Sequence, residues 1–163
     1  MGRLIGLHRK YVLAIIMMLS MFSIQGQDKV INFEFQTADG KVSNLEALKG
    51  EVVYLSFWAT WCKPCIQNFE KYHSFRETLL KEGIYLLNIN LDKDPSKFEA
   101  FLAKTNTLNG VNARPVNLEQ LSIDYKIASI PEYHIIDKTG AFVFLSQNPN
   151  RDVLAEFKKW VSE

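Results

Sequence analysis

Glu51 to Trp58 (EVVYLSFW) is nearly continuous in apolar and aromatic residues, the pattern of a strand buried on both faces and hence of a central strand. Four residues after Trp58 stands Cys62-Lys63-Pro64-Cys65, which holds both cysteines of the 163-residue chain. The apolar run ends there and a helical pattern begins. Any fold for this chain must therefore cover a central strand on both sides and place a cysteine pair at its strand-to-helix junction.

The stretches on either side alternate between strand-like and helix-like patterns. Val30, Ile31, Phe33 and Phe35 alternate with polar residues ahead of Asp39-Gly40, a hairpin signal. Ser43 followed by Glu46 predicts a capping-box start to a short helix that ends at Gly50. After the cysteines, Cys65, Phe69, Tyr72, Phe75 and Leu79 recur at the period of one helix face, and Gly83 closes it. Ile84 to Asp92 predicts the next strand, and Asp94-Pro95 opens a helix reaching about Thr105. NTLNGVNARPVN reads as a loop and LEQLSIDYKI as a short helix. EYHIID and AFVFLS read as strands joined by a tight turn, and Asn150 to Glu163 as a closing helix. This order predicts an α/β sandwich: a mixed central sheet with helices on both faces and an added N-terminal β-hairpin.

With 47% hydrophobic residues the chain can bury a core of its own, so it needs no disulfide framework to fold. Arg3, His8, Arg9 and Lys10 precede a 14-residue apolar run, Tyr11 to Ile24. A bilayer-spanning helix needs about 20 residues, so residues 1–27 read as a signal peptide, with an uncleaved membrane anchor as the alternative. The body, residues 28–163, is then a single domain in an extracytoplasmic, periplasmic space where disulfides persist. It retains 16 basic and 18 acidic residues without a basic cluster, which removes the electrostatic case for nucleic acid.

The cysteine pair has three readings. A structural zinc site needs four ligands, and beyond the two cysteines the body offers only His73 and His134, each ordinarily a surface or boundary side chain. No metal and no prosthetic group is expected. A permanent staple across so short a loop would restrain little unfolded-state entropy. Redox chemistry fits the placement, because amide N–H groups and the dipole at a helix start favor a thiolate at Cys62. Cys62 is then the nucleophile and Cys65, one turn on, resolves the mixed disulfide. Pro64 suits the first turn, where the N–H it lacks would have no partner.

FWATWCKPC resembles the active-site motif of thioredoxin-fold proteins. Together with the N-terminal hairpin, LKGEVVYLSFWATWCKPC and YKIASIPEYHIIDKTGAFV, it is similar to the TlpA/ResA group of thiol-disulfide oxidoreductases over roughly Val30 to Glu163. The resemblance implies a thioredoxin-like three-layer sandwich and a reductase of protein disulfides fed by a membrane thiol donor. It also implies a cis-proline at Pro131 opposite the cysteines and an Ile130 backbone that pairs with substrate as an added strand. Trp61, Lys63, Pro64, Ile130 and Pro131 form the substrate-binding set, and Trp58 is mainly core.

Two departures from the family pattern stand out. Asn68 occupies the position, three after the second cysteine, where many members of the group have a glutamate. Ser56 occupies the place of thioredoxin's buried aspartate. Both familiar acids that assist proton transfer at the resolving cysteine are missing. Glu132 is the nearest candidate proton relay by sequence, against the ordinary reading of a solvated strand-start residue. Two other functions remain open: a thioredoxin-like module that grips partner proteins at the Ile130 edge, and a peroxiredoxin-like peroxidase. The Pro-x-x-x-Thr-x-x-Cys arrangement of the peroxidases is absent before Cys62.

Overall fold

The computed structural model describes residues 30–105 and 108–146. The expected signal or anchor segment and the closing helix from Asn150 lie outside the described residues. Seven strands form one sheet: β1 (Glu34–Thr37), β2 (Val42–Asn44), β3 (Val53–Trp58), β4 (Tyr85–Asn90), β5 (Val111–Pro115), β6 (Glu132–Ile136) and β7 (Phe142–Ser146). Among the described residues four α-helices accompany it: α1 (Lys63–Lys71), α2 (His73–Lys81), α3 (Pro95–Leu102) and α4 (Leu118–Asp124).

The strand order is β2-β1-β5-β4-β3-β6-β7. β3 runs parallel to β4 and antiparallel to β6, and all six of its residues are buried. The mixed α/β sandwich and its central strand are as the sequence predicts. Strand alternation sorts the core into two sides. Leu55, Phe57, Leu87, Ile89 and Ala113 pack on one side with Leu121 of α4. Tyr54, Leu86, Tyr133 and Ile135 pack on the other with Leu79 of α2. Trp58 continues that second side into a cluster with Cys62, Cys65, Phe69 of α1 and Phe98 of α3.

Four sequence expectations are corrected. The segment read as a loop contains β5, which lies between β1 and β4; its polar Asn112 and Arg114 and terminal Pro115 weaken the strand pattern, and only Ala113 is fully buried. The short helix after the hairpin is a 3-10 turn, Leu45–Leu48, capped by Asn44 rather than Ser43, with the Asn44 side chain accepting from the Ala47 N–H at 3.0 Å. The single helix after the cysteines is two, divided at Tyr72, whose φ of −107° and ψ of 19° leave the helical range. The helix opened by Asp94 ends at Leu102, short of Thr105.

Candidate active site

β3 delivers the chain to the cysteines, and polar contacts hold the delivery loop. The Leu91 N–H donates to the Trp58 carbonyl at 2.8 Å, tying the end of β3 to the chain leaving β4. The buried Asp92 carboxylate then accepts from both the Thr60 N–H and the Thr60 hydroxyl at 2.9 Å, and from the Asn90 side-chain amide at 2.8 Å. The Cys62 N–H donates to the Ala59 carbonyl at 3.0 Å, which completes the turn into α1.

Cys62 is the N-cap of α1, with Lys63 and Pro64 in the first turn. Its sulfur accepts the Cys65 backbone N–H at 3.2 Å, an interaction that strengthens with negative charge on sulfur. The two cysteines form a disulfide with a Cα–Cα separation of 5.3 Å. Both are buried, Cys65 at 1% exposure and Cys62 at 4%, while Trp61, Lys63 and Pro64 beside them are exposed. The structure also brings Ile130 against the cysteine cluster, and the Ile130-Pro131 peptide bond is cis. Trp61 and Ile130 line one groove of about 990 Å³ together with Leu118, Ser122 and Ile123 of α4. Trp58 is core, with the rings of Phe69 and Phe101 at 5.3 and 5.2 Å.

The two positions that depart from the family pattern, Asn68 and Ser56, engage neutral and cationic partners rather than acids. The Asn68 amide donates to the Tyr133 hydroxyl at 3.1 Å. Burial pushes the Tyr133 phenol above its ordinary range, so it remains a neutral group beside α1. The Ser56 hydroxyl donates to Asn88 Oδ1 at 2.7 Å, and the same oxygen accepts from the Arg76 guanidinium at 2.6 Å. Glu132 is buried rather than solvated. Its neighbor Tyr133 reaches α1, so strand alternation turns Glu132 to the other side of the sheet, where its carboxylate meets His134 Nε2 at 2.7 Å. His134 is likewise buried, not a boundary residue, and desolvation holds its pKa below the ordinary 6.5 despite the opposing pull of Glu132.

Sequence reasoning missed Asp92, Asn88, Tyr133 and Arg76. Arg76 had a visible signal: Cys65, Phe69, Tyr72, Arg76 and Leu79 recur at spacings of 4, 3, 4 and 3, so a charge stands on the buried face of the helical pattern. Asp92 and Asn88 had none, because a polar residue in or after a strand acquires its role only from what the sheet places beside it.

The sequence from residue 27 to 154 matches the model of the AhpC/TSA family. Among curated relatives, the thioredoxin-like protein YneN of Bacillus subtilis is 29% identical over 119 residues, which covers 72% of this chain and 68% of the relative. The thiol-disulfide oxidoreductase ResA of the same organism is 29% identical over 115 residues, 69% of this chain and 62% of the relative, so the match spans under two thirds of that protein's length. Among solved structures, the thioredoxin domain of a thiol-disulfide oxidoreductase from Bacteroides vulgatus aligns with a TM-score of 0.71 at 15% identity, over 85% of this chain and 99% of that one. The exposed lipoprotein thioredoxin Etrx1 of Streptococcus pneumoniae aligns with a TM-score of 0.67 at 23% identity, over 79% and 99%. At those identities the two structures establish likeness of fold. With its cysteine pair at the junction of β3 and α1, the chain belongs to the AhpC/TSA family and has the thioredoxin-like fold of the thiol-disulfide oxidoreductases.

Proposed function

We propose that this protein is an extracytoplasmic thiol-disulfide oxidoreductase that reduces disulfides in other proteins. The observation that carries the reading is the helix-capping Cys62 sulfur, which receives a backbone N–H at the start of α1 next to exposed Trp61 and half-buried Ile130. In the reduced protein the Cys62 thiolate attacks one sulfur of a substrate disulfide. The S–S bond breaks, the leaving thiolate takes a proton, and a mixed disulfide forms. The Cys65 thiolate then attacks Cys62 Sγ, which releases the second substrate thiol and closes the Cys62–Cys65 disulfide. Two electrons have passed to the substrate, and a membrane thiol donor restores the dithiol. Substrate main chain pairs at the Ile130 edge, a contact that tolerates many sequences. The exported location rests on the positive start and apolar run of residues 1–24. Peroxide chemistry is not favored, because Ala59 and Leu55 stand three and seven residues before Cys62 where a peroxidase would have threonine and proline.

In glutathione buffers the purified protein should interconvert between dithiol and disulfide, and Cys62→Ser should lose catalytic exchange. Cys65→Ser should accumulate mixed disulfides with substrates in cells. A potential near about −270 mV marks a reductant, whereas one near about −120 mV would assign the opposite direction. A Cys62→Ser protein that still catalyzes exchange, or a double-serine variant that fully replaces the wild type in cells, would leave a binding module in place of an enzyme.

A further inference from the structure

Under the cysteine helix lies a buried cation that, among the described residues, has no buried acid against it. Arg76 of α2 is 3% exposed. Its guanidinium donates to Asn88 Oδ1 at 2.6 Å and to the Asn109 carbonyl at 2.8 Å, and it lies over the rings of Phe69 at 5.2 Å and Tyr54 at 5.7 Å. Amide oxygens and ring faces orient a guanidinium but do not neutralize it. Burial draws Arg76 below its ordinary range, yet arginine remains protonated wherever proteins fold.

The other buried charges described are committed elsewhere. Glu132 and His134 bond each other on the opposite side of the sheet. Asp137 holds the turn between β6 and β7 through Thr139 and Ala141. Asp92 is saturated by Thr60 and Asn90. Arg76 therefore contributes an unneutralized positive charge to the side of the sheet that carries the cysteines. One layer of side chains separates it from them: the Phe69 ring that Arg76 covers follows Cys65 by one turn of α1, in the same core cluster.

We infer that Arg76 tunes the cysteine pair through space, favoring the Cys65 thiolate and making the couple a milder reductant than the same fold would be without the charge. The network through Asn88 to Ser56 thus puts a positive charge where a carboxylate would act in the opposite sense. Reduction of the pair by glutathione consumes two glutathione thiols and yields one glutathione disulfide and the protein dithiol. A sulfur held as thiolate takes up one proton fewer in that step, so a nearby cation shifts the equilibrium toward the reduced protein. A unit charge about 10 Å away at an effective dielectric of about 20 changes the ionization by about tenfold. Arg76 is not a catalytic residue, since it touches neither sulfur nor substrate.

The inference rests on dithiol/disulfide exchange at Cys62 and Cys65, and the full chain tests it by its equilibrium with glutathione. At a pH above the Cys65 pKa that the Cys62→Ser titration gives for both proteins, Arg76→Met should lower the equilibrium constant for reduction about tenfold, about 30 mV for a two-electron couple. Arg76→Lys, which keeps the charge, should remain within about threefold of wild type. Asn88→Asp leaves Arg76 in place and gives it a carboxylate, and it should shift the constant in the same direction as Arg76→Met; it decides the matter if Arg76→Met does not fold. In a Cys62→Ser background, ultraviolet titration should find Cys65 about tenfold harder to ionize once Arg76 is methionine. An unchanged constant in folded Arg76→Met or in Asn88→Asp overturns the inference. So does an Arg76→Lys effect as large as that of Arg76→Met, which would mark a packing role. If wild type does not equilibrate with glutathione, the oxidoreductase reading fails instead, and the Cys65 titration alone judges Arg76.

Discussion

Asp92 serves the cysteines by fixing the chain that leads to them. Three donors converge on its carboxylate, and two belong to Thr60, two residues before Cys62. Asp92→Ala removes the acceptor from the fully buried Asn90 amide and from two half-buried Thr60 donors, and each unmet buried donor costs about 1–3 kcal/mol. The expected loss is about 3 kcal/mol in urea denaturation, with slower thiol exchange because the Cys62 loop is freed. Thr60→Val removes the hydroxyl bond and leaves the N–H bond, so its loss should be about 1 kcal/mol. Equal stability of Asp92→Ala and wild type would show that the loop holds itself. The cysteine motif itself was legible because it depends on neighbors in sequence: a strand, a turn, a first-turn proline and a cap. Asp92 and Asn88 were not, because their partners lie 32 residues away across the sheet.

Among the elements, β5 is the one whose entry tolerates least change. Gly110 precedes it with φ at 96°, and a Cβ there would lie 2.4 Å from Leu86 Cβ and 2.6 Å from the Leu86 carbonyl oxygen. Gly110→Ala should therefore cost more than about 2 kcal/mol, since both conformation and backbone contact oppose it. Gly40 has a similar φ of 86° with open space around its would-be Cβ, so Gly40→Ala should cost only about 1 kcal/mol. Comparable denaturation midpoints for the two alanine variants would refute the crowding at Gly110. Elements with strong periodicity, such as β3 and the cysteine helix, could be read from the sequence because burial repeats along them. β5 escaped because the sheet covers it: its neighbors β1 and β4, not its own side chains, make Val111–Pro115 a strand. The two-helix division at Tyr72 escaped for a related reason, as the apolar spacing runs on through the break.

At the scale of the whole molecule, the His134–Glu132 pair couples stability to acidity. His134 is enclosed by Phe57, Tyr125 and Phe142, with Glu132 bonded to it and Asp124 and Lys126 lining the adjoining cavity. The unfolded chain binds a proton near pH 6.5 that the folded chain takes up only at lower pH. Stability is then full above about pH 6.5 and declines as pH falls through that value toward the folded pKa. Between pH 7.5 and 5.5 the free energy of unfolding should fall on this account. His134→Gln, which still offers Glu132 an N–H, should remove most of that drop; a slope unchanged in the variant would trace it to other groups.

The strand order also bears on how the molecule avoids sticking to copies of itself. The N-terminal hairpin joins the sheet through the pairing of β1 with β5. In the intact chain β5 is an interior strand, and the exposed rim on that side is the short β2, three residues long. A version that begins after residue 44 would turn β5 into the rim, with main-chain donors and acceptors open along Val111–Pro115. Such a protein should keep its cysteine site but self-associate, eluting ahead of the full-length body in gel filtration as concentration rises. The hairpin then acts less as an appendage to the redox site than as a guard rail, keeping a sheet proposed to pair with substrate main chain at Ile130 from pairing with other chains along β5.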